Sequence, residues 1–233
     1  MKLHRFIGSF DLSRSRVESA DSELVHQIAD VLRLKTGELC ILGDADSHEA
    51  ICEITEVSKK RVVFDVRERR ANKGEPKRSV ILYCAMLKRE NFEWAVQKAV
   101  ETGIREIVPL RTARTVKLET KEDRLKKIIK EAAEQSGRGI VPILHSPILF
   151  QDVIDTAGSN ADNVLFDGSG SDFHTLTLPI DGPVGIFIGP EGGWHDDEVA
   201  LAREHGFHIA SLGPLTLRGE TAAVVASYLA THA

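Results

Sequence analysis

Residues 79–110, SVILYCAMLKRENFEWAVQKAVETGIREIVPL, decide the fold class of the C-terminal part of the chain. The apolar run SVILYCAML is typical of a buried strand. NFEWAVQKAVETG predicts a helix that begins near Asn91 as N-cap and stops at Gly103, and IREIVPL predicts the next strand. A strand, a helix and a strand in this order predict a βαβ unit with parallel strands.

The same alternation continues towards the C-terminus. Apolar residues at 125, 128, 129, 132 and 133 have helical spacing, and this helix is expected to end near Gly137. Short strands are predicted at 164–166, 184–189 and 208–213, with helices over 196–206 and from about Glu220 onward. We therefore expect an α/β domain over residues 79–233 with a mostly parallel sheet.

Residues 1–72 follow a different pattern, with short β-like segments at 4–10, 38–42, 50–57 and 61–66. The polar residues 58–60 are typical of a hairpin turn, and residues 21–34 predict one helix with Ser22 as a plausible N-cap. This pattern predicts a small β-barrel with a helix packed on it. The polar segment 73–78, which contains Gly74 and Pro76, is the expected linker between the two domains.

Composition limits the class of protein. The apolar content of 42% is ordinary for a folded soluble protein, and the run at 80–87 is far shorter than a membrane span of about 20 residues. The N-terminus lacks the apolar core of a signal peptide, so we expect a cytosolic protein. Cys40, Cys52 and Cys84 lack metal-ligand spacing, so buried thiols and no metal site are expected.

Positive charge is concentrated in one part of the chain, although the net charge is −5. Residues 59–89 hold eleven Lys or Arg residues and three acidic residues, a net of +8. A patch of this kind can neutralise several phosphates of a nucleic acid. The alternative is an ordinary solvated face, since charge runs usually lie in water.

The predicted chemistry lies where strands of the α/β domain end, because ligands of open parallel sheets bind at the carboxyl ends of strands. Unusual loops follow three predicted strands, at 166–170, 189–194 and 212–215. The middle loop, GPEGGW, is neither a Walker A loop nor GxGxxG, and Glu191 in it disfavours phosphate. It suits a cationic or neutral ligand, or else it is simply a turn that leads into a helix.

Several motifs together resemble a known family. VQKAVETGIREIVPL, RTARTV, EAAEQSGR followed by Pro142, IGPEGGWHDDE and LGPLTLRGETAA occur in the order and spacing of the RsmE family, and VLRLKTGE matches its N-terminal domain. This family consists of SPOUT-class methyltransferases that modify N3 of a uridine in 16S ribosomal RNA of the small ribosomal subunit. The resemblance covers nearly the whole chain and implies a PUA-like RNA-binding barrel before the catalytic domain.

The resemblance also implies a deep trefoil knot in the C-terminal α/β domain, a homodimer and S-adenosylmethionine as the cofactor. The cofactor-binding residues that it implies are Leu165, Phe166, Gly168, Gly189, Glu191, Gly192, Leu212, Gly213, Leu217, Thr221 and Ala222. The expected RNA contacts are Arg67, Arg69, Arg70, Lys88, Arg111 and Arg114.

The implied reaction needs proton chemistry, because N3 of neutral uracil carries a proton. A base must remove that proton, or a cation must stabilise the resulting anion. Arg138 and Arg218 are candidates for the cation or for a phosphate contact. Glu220 is a candidate for proton transfer, and capping of the last helix is an equal alternative for it. Glu134 and Gln135 either serve the same centre or form a solvated helix end.

The sequence departs from the family pattern at two places. Trp194 and His195 stand where the family commonly has Phe and Ser, and Gly219 stands where it commonly has Thr. His195 thus replaces an expected N-cap, and Gly219 lacks a hydroxyl beside the site. Two other functions stay open: another SPOUT reaction such as ribose 2′-O-methylation, and a non-catalytic RNA-binding or ribosome-assembly role.

Overall fold

The structure is a computed structural model that describes residues 3–88, 90–115 and 121–232. Arg89 of the basic window and Val116 of the RTARTV motif lie outside these described residues. The chain forms two units, one made of Met1–Glu75 with Ala133–Val141 and the other of Pro76–Ala132 with Pro142–Ala233. The chain therefore leaves the first unit after Glu75 and returns to it for a short segment.

The first unit contains a five-stranded sheet in the order β1-β3-β4-β5-β2. β1 and β3 are parallel, and the other pairs are antiparallel. The wholly buried side chains of Phe6, Ile28, Leu42, Ile54 and Phe64 form the centre of its core. The strands are β1 His4–Ile7, β2 Arg16–Ser19, β3 Leu39–Gly43, β4 His48–Val57 and β5 Val62–Ala71.

The hairpin predicted at residues 58–60 is confirmed, because this turn connects β4 to β5. The helix predicted over 21–34 is shorter than expected: α1 spans Ser22–His26 and continues as a π-helical turn, Gln27–Val31. Its N-cap is Asp21, whose carboxylate accepts from the Glu23 and Leu24 N–H groups, and not Ser22. β2 had no counterpart in the sequence prediction.

The second unit confirms the α/β prediction. Its sheet has the order β12-β10-β11-β6-β7-β8, with β9 beside β7, and the recorded strand pairs are parallel. The strands are β6 Val80–Ala85, β7 Glu106–Arg111, β8 Ile143–Leu144, β9 Ile148–Leu149, β10 Asp162–Asp172, β11 Val184–Ile188 and β12 His208–Ser211. The helices are α2 Glu90–Thr102, α3 Glu122–Ser136, α4 Phe150–Ala157, α5 Asp196–Glu204 and α6 Gly219–His232.

The βαβ unit predicted from residues 79–110 is present as β6, α2 and β7. β6 is buried along its whole length, as a strand in the middle of a covered parallel sheet must be. Gly103 ends α2 with φ +106°, a conformation that L side chains rarely adopt, and a Cβ there would meet the Pro76 ring at 2.3 Å. Both constraints explain why glycine stops this helix.

The returning segment Ala133–Val141 is tied to the first unit by hydrogen bonds. Glu134, at the end of α3, is buried, and its carboxylate accepts from the Ile7 N–H at 2.9 Å. The Gly139 carbonyl accepts from the Ser47 N–H at 3.0 Å. The sequence predicted a single junction at residues 73–78 and did not predict this return of the chain. We retain residues 1–72 and 79–233 as the proposed domains. Among the residues that the structure describes, no helix is both long and apolar enough to cross a membrane.

Candidate functional site

A cavity of about 780 Å³ lies in the second unit, beside the adjacent strands β10, β11 and β12. Its volume is within the range of about 300–1,000 Å³ that is usual for small-molecule sites. The three segments singled out in the sequence contribute to its wall. Residues 189–194 follow β11 and residues 212–215 follow β12, as expected. Residues 166–170 lie within β10, which is longer than predicted, and not in a loop after it. The predicted site residues in the wall are Lys88, Phe166, Gly168, Gly189, Glu191, Leu212, Gly213, Leu217, Arg218, Glu220 and Ala222.

The cavity wall also contains residues that were not among the predicted site residues. Asn91 of α2 and Ser211 of β12 add polar groups, and Leu215, in the third predicted loop, is an apolar side chain with 78% exposure. Within the described chain, the predicted residues Leu165, Gly192 and Thr221 do not line the cavity. Leu165 is wholly buried in β10 and belongs to the hydrophobic core, because this part of the strand, residues 163–166, is buried on both faces of the sheet.

Trp194 connects the loop 189–194 to β10. Its indole Nε1 donates a hydrogen bond of 2.9 Å to the carbonyl of Phe166, which lies in β10 at the cavity wall. A Cβ on Gly189 would be 3.0 Å from the same indole nitrogen, so glycine leaves the space that the ring needs. The indole also packs against Phe150, with 4.9 Å between ring centroids. Trp194 is therefore a buried part of the cavity wall.

The loop 189–194 is held from outside by two further contacts. The Glu191 carboxylate accepts from the Lys88 backbone N–H at 3.0 Å, and Arg114 Nη1 donates to the Gly192 carbonyl at 2.7 Å. Glu191 thus shapes the loop while its exposed carboxylate faces the cavity region. Arg114, expected to contact RNA, already has an intramolecular partner in this loop.

His195 caps α5 in place of the serine that the family commonly has. Its Nδ1 accepts from the Asp197 N–H at 3.3 Å, and the Glu198 carboxylate accepts from the His195 N–H at 2.8 Å, which completes a capping box. The second oxygen of Glu198 accepts from the Ala113 N–H at 2.9 Å. The imidazole therefore supplies the acceptor that a hydroxyl would supply, and the start of α5 is preserved.

The third loop leads into α6 and carries Arg218 and Glu220. Gly213 has φ +116°, which favours glycine at this turn, and Arg218 is exposed. Glu220 lies in the first turn of α6, and its Oε2 is buried with no hydrogen-bond partner within the part of the chain that the structure describes. A buried oxygen without a partner is costly, so this carboxylate is a strong candidate for a contact with a ligand.

Gly219 allows α6 to begin close to the core. A Cβ at this position would lie 2.8 Å from Leu87 Cδ2 and 3.6 Å from the Gly189 carbonyl oxygen. A larger residue requires the buried Leu87 side chain to shift. The departure from the family pattern at Gly219 is thus accommodated by close packing.

Arg138 has a different environment from the one that the sequence predicted for a catalytic cation. It belongs to the returning segment of the first unit and is 4% exposed. Its Nε and Nη2 donate to the Glu75 carboxylate at 2.8–3.0 Å. The guanidinium that was predicted to stabilise a uracil anion or to hold a phosphate is thus bound to a carboxylate of the same unit.

The arginines of the basic window that belong to the first unit have partners within the protein. Arg67 contacts Glu53 at 2.6 Å and Arg70 contacts Glu49 at 2.7 Å. Arg69 donates to three carbonyls of the segment 12–14, the shortest bond being 2.6 Å to Leu12. Arg111, at the end of β7, is exposed. The net charge of the window therefore overstates the positive charge that is free to meet phosphate.

Thiol chemistry is disfavoured at the cavity. Cys84 lies in β6, and burial, with a smaller contribution from the charge of Glu191, raises the pKa of its thiol to about 12. Burial likewise raises the pKa of Cys40 to about 12 and that of Cys52 to about 11. Thiols with such pKa values are poor nucleophiles. Among the described residues, there is no group of three or more His, Cys, Asp or Glu that could hold a metal ion.

The chain matches the family model of an RNA methyltransferase domain over residues 74–231 and that of an RNA methyltransferase PUA domain over residues 21–67. Ribosomal RNA small subunit methyltransferase E of Bacillus subtilis is 32% identical, covering 93% of this chain and 92% of the relative. The enzyme of the same name from Rickettsia conorii is 31% identical, covering 97% and 94%.

Solved structures show the same similarity. A Legionella pneumophila methyltransferase with bound S-adenosylmethionine has a TM-score of 0.90 and 29% identity, covering 99% of this chain and 97% of that one. Ribosomal RNA small subunit methyltransferase E of Neisseria gonorrhoeae, bound to S-adenosylmethionine, has a TM-score of 0.90 and 25% identity, covering 98% and 96%. Fold and matches together define an α/β RNA methyltransferase with an N-terminal PUA domain. The chain belongs to the family of ribosomal RNA small subunit methyltransferase E, the RsmE family of the sequence motifs.

Proposed function

We propose that this protein methylates N3 of a uridine in 16S ribosomal RNA of the small ribosomal subunit, with S-adenosylmethionine as methyl donor. Family membership and the cavity at the ends of β10, β11 and β12 support this proposal. We further propose that the enzyme acts in the cytoplasm as a homodimer, and that its α/β domain contains the trefoil knot implied by the family resemblance.

The residues of the cavity fit the proposed cofactor. S-adenosylmethionine supplies an electrophilic methyl group on a positively charged sulfur, so the carboxylates of Glu191 and Glu220 complement its charge. Backbone groups of the three segments suit the adenosine and the amino acid part, since glycines allow close approach. The proposed contacts line the cavity at Phe166, Gly168, Gly189, Glu191, Leu212, Gly213, Leu217 and Ala222, with Leu165, Gly192 and Thr221 next to them in the chain.

Glu220 is assigned the role of proton acceptor. Its buried Oε2 lacks a hydrogen-bond donor among the described residues, and the N3–H group of uracil is such a donor. The Glu220 carboxylate would take the N3 proton and leave the electron pair of the N3–H bond on N3. With the cofactor bound, that pair would bond to the methyl carbon while the bond between the methyl carbon and sulfur breaks, which leaves S-adenosylhomocysteine as a neutral thioether. The position of Glu220 in the first turn of α6 stabilises the carboxylate before the proton arrives.

Arg218 is assigned the role of the cation. It is exposed, lies two residues before Glu220 and lines the same cavity. A guanidinium there can stabilise negative charge on the uracil oxygens or hold a phosphate of the RNA. We assign Arg138 a structural role, because its guanidinium is buried and bound to Glu75.

The proposed RNA contacts in the second unit are Lys88, Arg111, Arg114 and Arg218. The Lys88 ammonium makes no ion pair within the described part of the chain, so it is available to a phosphate. Arg67 and Arg70 must exchange a carboxylate partner to bind RNA, which reduces the gain from each contact. Arg69 is further committed to three carbonyls.

The decisive experiment is methylation of small subunits isolated from a strain that lacks this gene, followed by mass spectrometric mapping of the product. A methyl group on uracil N3 supports the proposal. A methyl group on ribose O2′ or on another base contradicts the proposed substrate atom. Absence of S-adenosylmethionine binding by calorimetry contradicts the enzymatic proposal and favours a non-catalytic RNA-binding protein.

The role of Glu220 is tested by Glu220→Gln, a variant that keeps the shape of the side chain and removes its basicity. We expect the methylation rate at saturating substrates to fall about 100-fold or more, the usual contribution of general acid–base catalysis. Calorimetry on the same variant measures cofactor affinity separately. A rate close to wild type excludes Glu220 as the proton acceptor, whatever the product of the wild-type protein is.

A further inference from the structure

The chain has two tryptophans, and they have contrasting environments. Trp94, on α2, is 44% exposed, whereas Trp194 is 4% exposed in the wall of the cavity. The 2.9 Å bond from Trp194 Nε1 to the Phe166 carbonyl joins the loop after β11 to the part of β10 that borders the cavity. Phenylalanine, common at this position in the family, has no N–H group and cannot form this bond.

The position of the indole ring is fixed from three sides. Gly189 leaves room for it, since a Cβ there would be 3.0–3.2 Å from indole atoms Nε1, Cε2 and Cδ1. Phe150 packs against the ring with 4.9 Å between centroids. The hydrogen bond orients it towards β10. A ring held in this way fixes the position of the loop 189–194 relative to Phe166 in β10.

We propose that Trp194 is a positioning residue for the cofactor, holding the loop around Gly189 and the segment of β10 around Phe166 at the spacing that S-adenosylmethionine binding requires. The inference rests on the proposed function, because both segments are proposed to bind the cofactor. Binding is favoured when the segments are already ordered, since less conformational entropy is then lost. Trp194 acts on the cofactor through these segments, and a loss of its hydrogen bond therefore weakens binding more than it slows the chemical step.

The test compares Trp194→Phe with the control Trp94→Phe, using S-adenosylmethionine as the calorimetric probe. The loss of one buried hydrogen bond predicts a Kd about five- to tenfold higher for W194F and an unchanged Kd for W94F. The KM for S-adenosylmethionine should rise in parallel, while kcat at saturating cofactor should change less. A wild-type Kd for W194F overturns the inference, as does a lower melting temperature without a change in Kd.

Fluorescence provides a second readout that does not require turnover. In W94F the remaining emission comes from Trp194, so cofactor binding should change its intensity or wavelength. An unchanged spectrum at saturation contradicts a wall position coupled to the ligand. If W194F folds poorly, a second variant can be made in the W94F background, where Trp194 is the only remaining tryptophan. Replacing the indole ring of Trp194 by benzothiophene removes only the N–H donor and should raise the Kd for S-adenosylmethionine by the same factor.

A double-mutant cycle tests the contact between the ring and Gly189. Gly189→Ala should raise Kd in the wild-type background, because its methyl group displaces the indole. The rise should be smaller in the W194F background, where the five-membered ring is absent. Equal effects in both backgrounds contradict a coupled pair. If wild-type protein binds no S-adenosylmethionine, the proposed function fails, and this outcome is distinct from failure of the Trp194 inference.

Discussion

Glu75→Ala should destabilise the first unit far more than removal of an ordinary surface carboxylate. The Glu75 carboxylate accepts from Arg138 at 2.8–3.0 Å and from the Gly139 N–H at 2.7 Å. The Arg138 side chain is 4% exposed and that of Glu75 is 20% exposed, so removal of the carboxylate leaves a buried charge without this partner. Breaking a buried pair in this way costs about 3–5 kcal/mol.

The matched control is Glu53→Ala, which removes the partner of Arg67. The side chains of that pair are 54% and 31% exposed, and an exposed pair contributes at most about 1 kcal/mol. Urea unfolding followed by circular dichroism measures both variants. With a denaturant slope of about 1–3 kcal/mol per molar, the midpoint of the Glu75 variant should fall by about 2 M and that of the control by less than about 0.5 M.

Equal midpoints for the two variants would refute the buried-pair reasoning. The double variant Glu75→Leu with Arg138→Met should recover most of the lost stability, because apolar residues of similar volume often replace buried ion pairs at little cost. Its methylation activity should then remain close to wild type. A stable but inactive double variant would instead restore Arg138 to the catalytic role that the sequence predicted.

Three smaller predictions follow from single contacts. Lys88→Gln should reduce the slope of the logarithm of the RNA-binding constant against the logarithm of salt concentration by about 1, the effect of one lost phosphate contact. An unchanged slope excludes that contact. Burial acts to raise the pKa of the Glu49 carboxyl, but hydrogen bonds from Arg5, Arg70 and Asn72 outweigh it and lower the pKa below 4.5. The ionised carboxylate therefore stabilises the folded protein above pH 4.5, and this contribution is lost as the pH falls through the lowered pKa of the folded state. In Glu49→Gln, the free energy of unfolding should depend less on pH in the acid range. An equal pH dependence of the free energy of unfolding in the variant and the wild type would contradict the reasoning. His195→Ala should cost about 1 kcal/mol in thermal unfolding and His195→Ser much less, whereas equal losses would exclude capping by the side chain.

Local sequence patterns predicted the elements whose structure is decided locally. β6, α2 and β7 appear where residues 79–110 indicate, because an apolar strand, an amphipathic helix and a stop at Gly103 are each encoded within a few residues. The helix over 21–34 was predicted too long. Its pattern does not reveal the π-helical turn at Gln27–Val31 or the positive φ of 54° at Arg33.

Contacts between residues far apart in the sequence could not be predicted from local periodicity. The pairing of Arg138 with Glu75 joins residues 63 positions apart, so the sequence offered Arg138 as a candidate cation or phosphate contact and did not reveal its buried ion pair. Trp194 was interpreted as an aromatic exchange, because its bond to Phe166 depends on the adjacency of β10 and β11. The position of Glu220 in the cavity wall was reached through the motif match, while its unpartnered oxygen required the structure.

The returning segment Ala133–Val141 also bears on how such a protein can be rearranged by recombination. A cut near residue 75 releases the N-terminal unit without Glu134 and Gly139, two of the groups that complete its hydrogen bonding. A gene fusion that carries only residues 1–75 therefore transfers an incomplete unit. Exchange between relatives should therefore preserve residues 1–75 and the segment Ala133–Val141 together, even though each unit has its own sheet.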